Sequence, residues 1–327
     1  MELSERGRHR FHRQMTRVVD FHETKQKVFR YARAKDKRDD LKEELESLKE
    51  EDKKKLRQEK DERLNTALHY AAKAGNLEAC KLLDGEGADI NALGQNKMTP
   101  LQFAARYGDE GRGNEVWECM RWIMDHKQNS DQNGQNGRAK ENEVHVDGRD
   151  DFNILHHAIQ NTNWEEDPVV VRELIKTRKF KITDADKQEN TSLHLAAQFD
   201  KQEDHTLLEE FLTPYKAKDD KGRDYINQKD LEKCLVATNK VGMTPLHLAC
   251  AVGNPDSVKQ LLEIAEKLNK GSTSSIINVP DSNGSLPISL AVTSKNLKMV
   301  DILMKNGAEV NQETVLTAAR SVGTTYK

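Results

Sequence analysis

The chain has 327 residues; a third of them are charged, few are aromatic, and a net charge of −3 sets up no field that would draw in nucleic acid or an anionic membrane. The composition is hydrophilic yet leucine-rich, which suits a thin, stacked architecture better than one large compact core. The opening stretch "MELSERGRHRFH" holds no apolar signal core and no run nears the ~18 apolar residues of a spanning helix, so secretion and membrane crossing are not expected of these residues.

Residues 1–63 form a first region, basic and then of mixed charge. Phe11, Met15 and Val18 follow the i, i+4, i+7 spacing of a helix stripe, which predicts a short helix docking on the rest of the protein; membrane-surface contact is the alternative. From Lys35 to Arg63, 23 of 29 residues are charged, with both signs mixed, which predicts an exposed helix held by Glu–Lys pairs. Leu41, Leu45 and Leu48 share a face for two turns, too few for a sustained coiled coil, and weak self-association along them is the second reading.

From residue 64 to 327 the chain repeats. "NTALHYAAKAGN" from Asn65 returns as "MTPLQFAARYGD" from Met98, "FNILHHAI" from Phe152, "NTSLHLAAQFD" from Asn190 and "MTPLHLACAVGN" from Met243. A degenerate copy, "SLPISLAV", starts at Ser285, and "TVLTAARS" at Thr314 opens a partial seventh. After each of the first six copies, apolar residues recur at i, i+3, i+4: Ala79, Leu82 and Leu83, then Met120, Ile123 and Met124, then Val171, Leu174 and Ile175. The series continues with Leu208, Phe211 and Leu212, Val258, Leu261 and Leu262, and Val300, Leu303 and Met304. Each copy therefore predicts two helices, the second with one apolar face. "GADIN" from Gly87 and "GAEVN" from Gly307 supply left-handed helix ends.

These motifs resemble the ankyrin repeat, with its TPLH-type turn, helix pair and GA-containing loop; Leu68 and Leu101 stand 33 residues apart. The resemblance implies an all-α ankyrin-repeat solenoid of about six repeats plus a truncated seventh. The repeats lie near 65–95, 96–126, 150–182, 187–213, 239–268, 281–312 and, in part, 313–327. In the motif Thr244 is placed to cap the first helix and Pro245 to open it. Leu246, Leu248 and Ala249 face neighbouring helices. The resemblance gives His69, His156, His194 and His247 a structural role, bonding within the turn and to the adjacent repeat. Gln102, Ser289 and Thr317 stand where other copies have that histidine.

The step from motif leucine to second-helix triad grows from 12 residues (Leu246 to Val258) to 19 (Leu101 to Met120), so insertions are expected on the edge opposite the hairpins. Two longer insertions separate repeats. Residues 127–149 are rich in Asn, Gln and Gly and read as a mobile loop; residues 213–237 read as surface decoration with a strand or short helix, the alternative being a specific contact.

No P-loop, dinucleotide fingerprint, HExxH or nucleophile elbow is present. His156-His157 is no metal pair, since His156 belongs to the turn, and Glu165, Glu166 and Asp167 lack a partner acid or base. None of Cys80, Cys119, Cys234 and Cys250 sits in a CxxC pair, which predicts buried thiols in a reducing compartment. No catalytic residue, metal site, cofactor or enzymatic activity is expected.

The resemblance implies a scaffold that binds other proteins on a concave face, with contacts at hairpin tips and inner helices. The matching tip positions lie around Gln95, Asn96 and Lys97, from Asp186 through Lys187, Gln188 and Glu189 to Asn190, at Asn239 and Lys240, and from Asp281 through Ser282 to Asn283. The irregular array behind a charged N-terminal segment also resembles the cytoplasmic N-terminal part of TRPA-type cation channels, which place many repeats before six spanning helices and assemble as tetramers. That likeness implies a cytoplasmic module, homotetrameric within a channel, coupling cytoplasmic signals to a downstream pore. It transfers no functional residue. The alternative is a free-standing soluble ankyrin adaptor or inhibitor. The partial seventh copy carries the further expectation that this chain is the front part of a longer protein or a truncated product of one.

Overall fold

A computed structural model describes residues 20–125, 153–161, 168–177, 179–199, 207–216, 225–268 and 273–316. Among them there is no strand, only an isolated antiparallel bridge between Ala185 and Thr191. The fold is all-α and built of repeated helix pairs. It divides into two compact units, Met1–Glu141 and Asn142–Lys327.

The first unit opens with helix α1 (20–33), followed by α2 (Arg38–Ser47) and α3 (Glu50–Gln58). Two helix pairs come next: α4 (Ala67–Lys73) with α5 (Leu77–Gly85), and α6 (Pro100–Tyr107) with α7 (Gly113–Asp125). First helices stack on each other, α4 on α6, and second helices likewise, α5 on α7.

The single exposed helix expected over 35–63 is not what forms. Leu48 takes extended backbone (φ −78°, ψ 143°) and splits the segment into α2 and α3. Leu41, Leu45 and Leu56 are buried, and Leu45 and Leu56 share a small gap with Leu68 and Leu83 of the first pair. The magnitudes explain the outcome. Burying one leucine is worth about 2 kcal/mol, against roughly 0.2–0.5 kcal/mol for an exposed Glu–Lys pair. Three leucines therefore outweigh the charge pattern, and the break at Leu48 lets both helices reach one surface. The leucines are consumed within the chain, so no stripe is left for coiled-coil self-association. Lys53 adds an ion pair to Glu86 at 3.0 Å.

α1 docks in the same way. Val28, Phe29 and Ala32 are buried, the Phe29 ring lies 6.0 Å from that of Tyr70, and Asn76 Nδ2 donates to the carbonyls of Ala32 (3.3 Å) and Ala34 (3.0 Å). Phe11, Met15 and Val18 lie outside the described residues.

The second unit carries four pairs. They are α8 (Ile154–Ile159) with α9 (Val169–Thr177), and α10 (Ser192–Phe199) with α11 (Leu207–Lys216). After α12 (Gln228–Val236) come α13 (Pro245–Val252) with α14 (Pro255–Leu268), then α15 (Thr273–Ile277), then α16 (Pro287–Thr293) with α17 (Leu297–Lys305). A final helical turn spans 312–316. First helices stack in the order α8, α10, α13, α16, and second helices in the order α9, α11, α14, α17.

Most of the i, i+3, i+4 residues are buried as the spacing predicts. Leu82 of α5 is half-buried, and α17 departs further: Met299 and Leu303 are buried while Met304 is 49% exposed, so its apolar face is turned by one residue from the expected one. Leu248 is half-buried, unlike Leu246 and Ala249. Across α9 and α11, Arg172 forms a two-pronged ion pair with Glu210, Nε to Oε2 and Nη2 to Oε1, both at 2.7 Å.

The described part of the 213–237 insertion corrects its reading as surface decoration. α12 packs against α10, α13 and α14. Leu231, Cys234 and Leu235 are buried, and the Cys234 thiol donates to the Ile182 carbonyl at 3.3 Å. The i, i+3, i+4 spacing of these three residues gives α12 the same one-sided apolar face as the repeat helices. The 127–149 insertion, and Glu165 to Asp167, lie outside the described residues.

All four cysteines are free and buried. Its hydrogen bond to Cys119, then burial, push the Cys80 thiol well up; burial pushes Cys234 up to about 12 and raises Cys250. No described helix is long and apolar enough to cross a membrane.

Candidate functional site: the hairpins and their turn residues

Each helix pair is entered through a turn whose chemistry recurs. At the start of α13, Thr244 caps the helix and Pro245 takes its first position. The Thr244 amide donates to His247 Nδ1 at 3.1 Å, and Thr244 Oγ1 lies 2.8 Å from the same nitrogen. Nδ1 is therefore an acceptor, which puts the ring proton on Nε2. That nitrogen donates across to the Ser285 carbonyl of the next repeat at 3.1 Å. His69 reaches Met98 O (3.0 Å), His156 reaches Asp184 O (3.1 Å) and His194 reaches Met243 O (3.0 Å) in the same manner. Thr66, Asn153 and Thr191 supply the cap-residue amide to Nδ1.

Both ring nitrogens are used in each of these four histidines, which thereby serve as rivets between repeats. Burial pushes His69, His156 and His194 down to about 4 and lowers His247. Among the described residues no group of three His, Cys, Asp or Glu could hold a metal ion. In the second repeat Gln102 does part of the same work, its Oε1 accepting from the Thr99 amide at 3.0 Å. Ser289 instead lies 2.7 Å from the Thr314 hydroxyl. Thr317 lies outside the described residues.

The hairpins preceding these turns are equally regular. Asp61, Asp186, Asn239 and Asp281 each open a five-residue tip. Asp186 Oδ1 accepts the amides of Gln188 and Asn190, both at 2.8 Å. Asp61 serves Arg63 and Asn65, Asn239 serves Val241 and Met243, and Asp281 serves Asn283 and Ser285. The fourth tip residue takes positive φ every time: Leu64 (66°), Glu189 (62°), Gly242 (75°) and Gly284 (80°). The hairpin of the second repeat starts instead with Gly94. A Cβ there would lie 2.5 Å from both Asn65 Oδ1 and His69 Nε2, so an aspartate does not fit.

Successive tips of the second unit are bonded to each other. The Lys240 amide donates to Gln188 O at 2.9 Å, and the Ser282 amide to Val241 O at 3.1 Å. Asn239 Nδ2 donates to Asn190 Oδ1 at 3.0 Å. Gly242 permits this approach, because a Cβ on it would sit 2.5 Å from the Ser282 nitrogen. Gly242→Ala combines that clash with positive φ and is expected to cost about 1–3 kcal/mol. Urea unfolding measures it; an unchanged midpoint would show that the tips are not held together.

These bonds sort the tip positions. Asp186 and Asp281 are buried and spent on their own turns. Gln95, Lys187, Asn190 and Asn239 are half-buried, whereas Asn96, Lys97, Lys240 and Asn283 are exposed. Gln188, Glu189 and Ser282, inside the predicted spans, are exposed as well, and so is Val241, which the sequence reading missed. The signal was available: in a tip of the form Asp-x-x-Gly-x, the first residue is bound by its turn and the next two face solvent.

A family model described as "Ankyrin repeats (3 copies)" matches residues 34–136 and 223–314, more than half of the chain. The match begins at residue 34, so it takes in α2 and α3 along with the first two helix pairs. Among solved structures, the human ASB11 ankyrin repeat domain aligns with 87% of this chain and 99% of that one, at 17% identity and a TM-score of 0.56, a likeness of fold. No curated protein sequence matches.

Proposed function

This chain belongs to the ankyrin-repeat family, whose arrays serve as protein–protein interaction scaffolds, and from that premise we propose that in each unit the hairpin tips and first helices form the partner-binding face. The observation that carries this is the cross-bonding of the tips. Backbone bonds between Gln188 and Lys240 and between Val241 and Ser282 fix the spacing of successive tips. Their exposed side chains are thereby held in register without ordering cost on binding, which is how a rigid surface gains affinity. The chemistry is recognition of another protein, with no reaction step.

Photo-crosslinking tests the face. A benzoylphenylalanine at Asn96, Gln188 or Lys240 is expected to yield a discrete partner adduct. The same group at Lys81, Lys259 or Lys298, exposed on second helices, is expected to yield none. Equal adducts from both sets would overturn the assignment.

The finer reading is that the array is the cytoplasmic N-terminal portion of a TRPA-like channel, homotetrameric and coupled to a pore. It is supported by the uneven insertions and the charged N-terminal segment. The alternative is a free-standing adaptor or inhibitor. An antibody against residues 127–149 separates them on fractionated native extract. A membrane band much heavier than this chain supports the channel; a soluble band at the chain's own mass supports the adaptor.

A further inference from the structure

A cavity of about 540 Å³ opens between α1, the first hairpin tip and α4. Tyr70 of α4 lines it, and that ring is held on all sides. Its hydroxyl donates to Asp61 Oδ2 at 2.5 Å and accepts from Asn65 Nδ2 at 3.3 Å. The rings of Phe29 and Phe103 lie 6.0 and 5.9 Å away.

On this fixed platform lies Arg33, its guanidinium carbon 3.7 Å from the Tyr70 ring centre. Stacking pins the guanidinium plane while leaving its edges, where the N–H donors are, free of the ring. Arg33 forms no ion pair among the described residues, and neither does Arg63 on the tip loop across the cavity. The other cations of the wall are engaged: Lys25 bonds Glu59 at 2.6 Å, and Lys73 bonds Asp109 at 3.1 Å. Asp61 is spent on its turn and on Tyr70. The wall holds two further carboxylates, Asp109, which is paired with Lys73, and Glu62, and His22 bonds Gln26 at 2.8 Å. An exposed arginine seated over a clamped aromatic, at the wall of an open space, is a ready receptor for a planar oxyanion.

We propose that this cleft takes a glutamate or aspartate carboxylate from an acidic segment of a protein partner, with Arg33 as the fork and Arg63 as a second cation. The proposal rests on the reading of the chain as an interaction module and gives that module's partner a chemistry.

The test uses the full chain labelled with ¹⁵N, reading the side-chain Nε–Hε signals of Arg33 and Arg63. The probe is a twelve-residue peptide of alternating Glu and Gly, with a Gln version as control. The Glu peptide is expected to move both signals saturably and the Gln peptide to leave them in place. Arg33→Gln is expected to weaken binding at least tenfold and Arg33→Lys several-fold, since lysine keeps the charge but not the stacked fork. Lys298→Gln, an exposed cation elsewhere, is expected to change nothing. Arg33 is exposed, and an unchanged melting curve shows that its variants fold. Equal weakening by Arg33→Gln and Lys298→Gln would mean diffuse charge attraction and overturn the proposal. So would saturation by inorganic phosphate or a phosphoserine peptide with no response to the Glu peptide. A partner captured at the hairpin tips that binds Arg33→Gln as well as wild type removes this cleft and leaves the tip assignment standing.

Discussion

Lowering the pH from 7 to 5 is expected to destabilise the second unit by several kcal/mol and the first by less. The cause is the unequal share of turn histidines. His156, His194 and His247 rivet the second unit, whereas the first has His69 alone, its next repeat using Gln102. Burial holds His69, His156 and His194 at about 4, below the ordinary 6.5. Between those values the unfolded chain binds the proton and the folded chain does not, so stability falls as pH falls from about 6.5 toward 4 and levels off below. At pH 5 the loss is about 2 kcal/mol for each such histidine. Two or three of these are comparable with a typical domain stability of about 5–15 kcal/mol.

Hydrogen exchange at pH-corrected times reads this directly. Protection in α10 and α13 is expected to collapse before that in α4 and α6. His194→Gln, which copies the arrangement at Gln102, keeps a cap acceptor that does not titrate and is expected to remove about one proton from the pH slope. Protection that fails equally in both units would refute the histidine account.

Breaking the Arg172–Glu210 pair is expected to cost about 3–5 kcal/mol, the range for a buried ion pair that loses one partner. The two halves are not equivalent. The Glu210 side chain is 5% exposed and that of Arg172 28% exposed. Arg172→Met strands the more deeply buried charge and is expected to be the worse change. Glu210→Met leaves a guanidinium that water reaches in part. The double variant replaces both charges with apolar volume between α9 and α11 and is expected to recover much of the loss. Urea unfolding of the three variants checks the order. Losses under about 0.5 kcal/mol, typical of exposed pairs, would show that the fork contributes little.

The repeated helix pairs were legible because their signals are local. Thr244-Pro245 caps and opens a helix by its own chemistry, and the Val258, Leu261, Leu262 spacing fixes a face within one turn. Residues 35–63 misled because charge dominates that composition, while three leucines decide the packing. Their target, the Leu68–Leu83 surface, lies outside the segment and is invisible to a local reading. α12 escaped for the same reason: Leu231, Cys234 and Leu235 show a face but not what it covers. At the hairpins, tip position was legible, whereas the spending of Asp186 and Asp281 on their own turns follows from the i+2 and i+4 amide bonds. The Arg33–Tyr70 stack joins residues 37 positions apart with no motif between them, so sequence pattern gives no sign of it.

The placing of the four thiols makes the protein its own clock. Each unit holds two, Cys80 and Cys119 in the first, Cys234 and Cys250 in the second, and all are closed to solvent. An alkylating reagent reaches them only when a helix pair parts, so the labelling rate at each sulfur counts how often that pair breathes. Cys234 sits on α12, outside the helix-pair register. Its rate compared with that of Cys250 on α13 tells whether the inserted helix lifts away by itself or leaves only when its neighbours do.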